Sequence, residues 1–163
     1  MTSRNRAVVF ALVVFGVVLG AAIGSVSAQA SDPRIGTWKL NVAKSKYDPG
    51  PAPKSLTLKV EAAGQGEKAT TEFVNADGSQ TSTVYTANFD GKDAPLTGSR
   101  LADTVSLKRI DAQTTERTDK KGGKVVQTLR RVVSKDGKTM TVTTKGTNAE
   151  GKAINNVAGF EKQ

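Results

Sequence analysis

The sequence predicts an all-β domain, an antiparallel up-and-down β-barrel of about eight or nine strands. After residue 30, runs of eight to eleven residues rich in Thr, Val and Lys recur, and most of them alternate apolar and polar residues. Glycine-containing turn sequences such as NADGS, KKGGK and SKDGK separate these runs. A series of hairpins leaves exposed edges unless it closes, so we favour a barrel over a two-sheet sandwich.

The first thirty residues have the three parts of a secretory signal peptide. Residues 1–6 contain two arginines, residues 7–23 are apolar or glycine, and residues 25–30 are mostly small. We predict a signal helix in residues 1–30, cleaved after Ala28 or Ala30, and a single β-barrel domain in residues 31–163. In a bacterium, Sec-type export would deliver this domain to the periplasm or the medium. An uncleaved membrane anchor is the alternative, because a span needs about 17 to 25 apolar residues.

Composition limits the chemistry of the domain. The sequence has no Cys and no His, so the usual general base, the thiol nucleophile and the common zinc or copper ligands are missing. Asp90, Asp93 and Asp103 lie at or near predicted turns, where Asp commonly serves turn geometry. We therefore predict a protein that is not an enzyme, with no catalytic residue, no metal and no cofactor.

The alternation within each run assigns its two faces, since successive side chains of a strand point to opposite sides. The residues predicted to face the interior are Trp38, Leu40, Val42, Leu56, Leu58, Val60, Ala62, Thr83, Tyr85, Ala87, Phe89, Val105, Leu107, Met140, Val142, Ile154, Ala158 and Phe160.

Two runs depart from this alternation. TTERTDKK at 114–121 has no apolar face, and KVVQTLRRVV at 124–133 has apolar residues on both faces. We interpret the first as an edge strand whose charges prevent further pairing. The alternative places Thr115 and Arg117 inside a hydrated cavity.

The segment YDPGPAPKS at 47–55 contains three prolines, which fix φ and cannot donate to a β-ladder. It predicts a stiff connection across one end of the barrel, either a fixed cover or a simple spacer.

The segment DPRIGTWKL at 32–40 resembles the Gly-x-Trp signature of the first lipocalin strand. GTWKLN and YDPGPAPKS, with the later TVSLKRID and RRVVSKDGKTMTV, are similar to a group of small exported bacterial lipocalin-like proteins. The resemblance implies that Trp38 packs at the closed end of the barrel and that Gly36 lets the backbone pass close beneath it. Lipocalins usually cover this tryptophan with an arginine near the last strand, and here Arg130 or Arg131 is the candidate. The Arg-x-Tyr with which fatty-acid-binding barrels hold a carboxylate is absent.

A barrel of this size holds side chains or one small ligand. We therefore predict an exported, non-catalytic protein that binds a small, partly apolar or acidic ligand at the open end, through Tyr47, Tyr85, Arg117 and Arg131. An inward arginine is costly unless an anion or a carboxylate pairs with it.

The alternative function uses surface charge. Without Arg4 and Arg6 the sequence has 22 Lys and Arg against 15 Asp and Glu, a net charge of +7. Such a domain could bind anionic cell-envelope polymers with strong salt dependence. Candidate lysines lie around two hairpins: Lys120, Lys121, Lys124, Lys135 and Lys138. No aromatic residues alternate with them, so specific nucleic-acid binding is not predicted, and solubility alone also explains these lysines. Contact with a membrane is expected only through an uncleaved N-terminal segment.

Overall fold

The computed structural model describes residues 32–148 and 150–163, which form one closed antiparallel barrel of ten strands without a helix. Consecutive strands are neighbours, and β10 closes the barrel against β1. The all-β, up-and-down barrel predicted from the sequence is thus confirmed, while the predicted signal helix lies outside the described residues. The strands are β1 (Gly36–Lys46), β2 (Ser55–Ala63), β3 (Gly66–Val74), β4 (Gln80–Asn88), β5 (Ala94–Thr97), β6 (Thr104–Arg109), β7 (Thr114–Lys121), β8 (Lys124–Val133), β9 (Thr139–Thr147) and β10 (Ala153–Lys162). Within this part of the chain, no helix is long and apolar enough to cross a membrane.

The strand that the sequence analysis missed is β5. It has only four residues, and each of its ladders contains two residue pairs. Pro95 lies at its second position, where a missing N–H and a short run hide the alternation that reveals longer strands. The count is therefore ten strands and not eight or nine.

The barrel has two ends, which we name after the aromatic residues found there. The Trp38 end carries the first residues of β1 and the β2–β3, β4–β5, β6–β7 and β8–β9 connections. The Tyr47 end carries the proline-rich β1–β2 connection and the β3–β4, β5–β6, β7–β8 and β9–β10 connections.

Most of the predicted inward residues form the core. Val42 is an exception, with 45% of its surface exposed. The β1–β10 register shifts between Asn41 and Lys46, and this bulge turns the side chains after Asn41 away from the interior. Ser45 fills the bulge, accepting a hydrogen bond of 3.0 Å from the Gly159 N–H and donating one of 2.7 Å to the Asn41 carbonyl. The inward prediction for Val42 was therefore wrong. Ala62, near the end of β2, shares the face of its ladder partner Glu67, as predicted, but is exposed and does not belong to the core.

The edge-strand interpretation of residues 114–121 was wrong as well. Strand β7 pairs with both β6 and β8, because the closed barrel leaves no edge there. Its inward residues are Thr115, Arg117 and Asp119, as the alternative interpretation required for the first two. A second bulge, opposite Asp119 and Lys120, changes the facing of β8 and lets Val126 pack against the core, while Val125 and Val132 are exposed.

Candidate functional site

Polar side chains on β3, β4, β7 and β8 meet inside the otherwise apolar barrel. We call this group the interior cluster. Its members are Glu67, Tyr85, Thr115, Arg117, Asp119, Gln127 and Arg131.

The first part of the interior cluster is centred on Glu67, which is 1% exposed. Its Oε1 accepts a hydrogen bond of 2.6 Å from the Tyr85 hydroxyl and another from Arg131 Nη2, which also forms an ion pair with it. Burial raises the pKa of Tyr85 to about 12. Burial opposes the charged form of Arg131, but Tyr85 and Glu67 outweigh it and raise the pKa of Arg131 above its ordinary value. Tyr85 is therefore neutral and Arg131 charged at neutral pH.

The second part is the pair of Arg117 and Asp119 on β7. Arg117 donates from Nε and Nη2 to the two carboxylate oxygens at 2.5 and 2.8 Å, and Gln127 Nε2 donates to Asp119 at 2.7 Å. Such bidentate pairs are strong and fix the geometry of both groups. The Arg117 guanidinium also lies 4.8 Å from the centre of the Tyr85 ring, which joins the two parts.

Each interior arginine thus has its own carboxylate. An interior arginine needs either a ligand anion or a carboxylate as its partner, and the structure provides the carboxylate. Glu67 and Asp119 were missed because only their inward position, which depends on register, distinguishes them from surface acids.

Three atoms of the interior cluster have no hydrogen-bond partner among the described residues. They are Glu67 Oε2, Arg131 Nε and Thr115 Oγ1, and all three are buried. Thr115 and Arg131 are direct partners across the β7–β8 ladder, so their inward side chains are neighbours. Arg131 also pairs with Glu67, so the three residues that carry the orphaned atoms adjoin one another in the barrel interior.

Tyr47 lies apart from this cluster, in a groove of about 420 Å³ at the Tyr47 end. The groove is lined by Tyr47, Pro51, Pro53, Phe73, Asn75, Ala76 and Asp77. Asp48 ties the proline-rich connection to β10: its N–H donates to Asn156 Oδ1 at 2.9 Å, and its carbonyl accepts from the Asn155 N–H at 2.8 Å. The connection is thus a fixed wall of the groove.

The electrostatics of the groove do not favour anions. None of the described residues that line it is Lys or Arg, and Asp77 is its single ionisable carboxylate. Hydrogen bonds from the Ser79 hydroxyl and N–H lower the pKa of Asp77, so it is ionised at neutral pH. Burial raises the pKa of Tyr47, which leaves its hydroxyl neutral.

A second depression, of about 370 Å³, lies on the outer surface of β2, β3 and β4. Apart from Phe73 and Val74 its lining is polar: Ser55, Thr57, Glu72, Gln80, Thr81 and Ser82. Because a small-molecule site is mostly apolar with a few polar groups, the groove at Tyr47 is the better candidate.

At the Trp38 end, the fully buried indole donates from Nε1 to the Arg34 carbonyl at 2.9 Å. Lys162 covers the ring, with Nζ 5.1 Å from its centre, and donates to the Pro33 carbonyl at 3.0 Å. The expectation that Arg130 or Arg131 covers Trp38 was wrong, because Arg131 pairs with Glu67 and Arg130 is exposed. Lys162 reaches the indole because it lies directly opposite Trp38 in the β1–β10 ladder.

The lysines of the charge-based alternative do not form one patch. Lys120, Lys121 and Lys124 belong to the β7–β8 hairpin at the Tyr47 end, whereas Lys135 and Lys138 lie in the β8–β9 connection at the Trp38 end. Lys120 Nζ is also 2.7 Å from Asp93 Oδ1. Binding to anionic polymers stays a prediction.

No protein-family model matches the sequence, and no curated protein is significantly similar to it. Among solved structures, zebrafish ileal bile acid-binding protein in complex with cholic acid is similar, with 12% identity and a TM-score of 0.49. The match covers 80% of this chain and 99% of that chain. A likeness at this level assigns neither family nor ligand, so the lipocalin resemblance of the N-terminal motif stays a prediction.

Proposed function

We propose that this is an exported, non-catalytic protein that binds a small, neutral, partly apolar molecule at the Tyr47 end of the barrel. The groove at Tyr47 carries this proposal. Its volume of about 420 Å³ falls within the range of about 300 to 1,000 Å³ that is usual for small-molecule sites. Tyr47 and Phe73 are half-buried, so a ligand that covers them removes further apolar surface from water.

Charge argues for a neutral ligand over an acidic one. An acid would meet the ionised Asp77 in the groove, whose described lining contains no Lys or Arg, and the charge of Lys54 acts on Asp77 from outside this lining. Arg117 and Arg131 already pair with Asp119 and Glu67, which removes the reason to expect an anion in the interior.

Two further observations support the rest of the proposal. The pattern of residues 1–30 supports export, since it has all three parts of a signal peptide. The absence of His and Cys from the sequence, together with the pairing of both interior carboxylates with arginines, supports a role without catalysis.

Native mass spectrometry of the protein purified from its own host tests the proposal. We expect the processed chain with a bound small molecule, and a thermal shift on adding neutral lipids, sterols or quinones. Tyr47→Ser is expected to weaken binding because it removes an aromatic wall of the groove. Val125→Ala is the control, since Val125 is exposed on β8 outside the groove. A mass equal to the bare processed chain, with no thermal shift for any compound, would contradict the proposal.

A further inference from the structure

The interior cluster holds an arrangement that packing alone does not account for. Glu67 Oε2, Arg131 Nε and Thr115 Oγ1 come from three different strands, and none has a partner among the described residues. Buried polar atoms are nearly always paired, and a group of three orphans at one place is unusual. Groups left unpaired in this way are typical of sites that a ligand or an ordered water completes.

The chemistry of the three atoms defines their missing partner. Arg131 Nε–H can only donate, Glu67 Oε2 can only accept while ionised, and the Thr115 hydroxyl can do either. A single hydroxyl oxygen meets all three demands, because it accepts two hydrogen bonds and donates one. A carboxylate cannot donate to Glu67, and an ammonium cannot accept from Arg131.

The charge of the cluster agrees with a neutral partner. Arg131 and Glu67 neutralise each other, as do Arg117 and Asp119, so no net charge is left for an ionic ligand. We propose that Glu67, Thr115 and Arg131 form the polar subsite that receives the hydroxyl group of an elongated, neutral alcohol. This inference rests on the proposed function, because the apolar part of the same ligand would lie towards the groove at Tyr47.

Strand β3 links the two places. Its inward residues run from Phe73 in the groove through Thr71 and Ala69 to Glu67, so the side chains that β3 itself places between the two are small, while their partners Leu58 and Tyr85 are large. Six residues of strand span about 20 Å, which sets the length of the alcohol. The three orphaned atoms have no exposed surface, so the side chains must move apart to admit the hydroxyl.

Water offers the same chemistry as an alcohol, and matched ligands distinguish the two sources. Dodecan-1-ol can donate and accept, 1-methoxydodecane can only accept, and dodecanoate is charged. The measurement is titration calorimetry of each ligand into the processed protein. We expect dodecan-1-ol to bind about 10- to 100-fold more tightly than the ether, as one hydrogen bond to a charged group would give, and dodecanoate to bind most weakly.

The decisive variant is Thr115→Val, which keeps the side-chain shape and removes the hydroxyl. It removes the hydrogen bond that the Thr115 hydroxyl donates to the ligand oxygen, so it should lower the affinity for both dodecan-1-ol and the ether about 5-fold, and it should raise the melting temperature by a few degrees, since a buried unpaired hydroxyl is lost. Thr118→Val, on the outward face of the same strand, should change neither affinity.

Three results would overturn the inference. Equal affinity for alcohol and ether would mean that only water occupies the cluster, and an affinity for dodecan-1-ol that is unchanged in Thr115→Val would exclude Thr115 from the subsite. In both cases the proposed binding function would stand. If none of the three ligands binds and the protein from its host carries no small molecule, the proposed function fails and the inference fails with it.

Discussion

The two ends of this barrel use aromatic residues in different ways. At the Trp38 end, the indole is fully buried, its N–H is hydrogen-bonded, and Lys162 covers its ring. At the Tyr47 end, Tyr47 and Phe73 are half-buried and border an open groove. Packed groups stabilise a fold, whereas half-covered apolar groups leave surface for a partner. We therefore expect the Trp38 end to contribute more to stability, and the Tyr47 end is where we propose binding.

Substitution of Trp38 should have the largest effect on stability. Trp38→Ala leaves a cavity in the closed end, and we expect a loss of about 4 kcal/mol in the free energy of unfolding. Urea denaturation followed by circular dichroism measures it, because the variant loses the chain's only tryptophan. Tyr47→Ser is the comparison and should cost about 1 kcal/mol, since the phenol ring is only half-buried. Equal losses would mean that the two ends do not differ as described.

Breaking the Glu67–Arg131 pair should have the next largest effect on the free energy of unfolding. Glu67→Leu leaves Arg131 buried without a counter-charge, and we expect a loss of about 3 kcal/mol. In the double variant with Arg131→Met, the apolar pair should recover most of this loss, because the desolvation cost of both charges disappears. A double-mutant cycle, with the free energies of unfolding measured in urea, gives the coupling energy between Glu67 and Arg131. Simple additivity of the two substitutions would show that these residues do not form a buried pair.

Substitution of Gly36 tests whether its close contact with Lys162 contributes to stability at the Trp38 end. Its φ is +137°, and a Cβ there would lie 2.7 Å from Lys162 Cε. We expect Gly36→Ala to cost about 2 kcal/mol through backbone strain and displacement of Lys162 from the indole. Gly123→Ala, at a turn with positive φ but no atom within 4 Å of the added Cβ, separates the strain from the contact. A loss no greater than that of Gly123→Ala would mean that the contact with Lys162 contributes nothing.

The pKa values of Tyr85 and Tyr47 allow the interior cluster and the groove to be compared by titration. Tyr85 in the interior cluster has a pKa raised to about 12 by burial, while burial raises the pKa of Tyr47 in the groove by a smaller extent. A tyrosine pKa raised in the folded state gives stability that is complete below pH 10 and is lost as the pH rises towards 12. We expect Tyr85 to account for about 1 kcal/mol of this loss at pH 11.

Absorbance titration of the phenolate in Tyr47→Phe and Tyr85→Phe variants assigns each value. Ionisation of Tyr85 before Tyr47 would contradict the burial described here.

Local sequence patterns predicted the class of fold because alternation and glycine turns act within a few residues. The predicted inward sets on β2, β4, β6 and β9 agree with the core apart from Ala62. The same patterns failed at β5, where a proline interrupts a short strand, and at Val42, where a bulge reverses the facing. Both failures come from features that depend on the partner strand, which no local pattern contains.

The candidate site was predictable only in part. The sequence indicated that Tyr85 lies inside, because strand alternation is a property of short segments. It offered the inward position of Arg117 only as the alternative to an edge strand, and that of Arg131 only if its strand turned it inward. It could not select Glu67 from fifteen acidic residues, nor place Lys162 on Trp38, since both contacts join strands far apart in the chain. Register and closure of the barrel decided these pairs: a shift of one residue would have turned Glu67 to solvent and left Arg131 without a counter-charge.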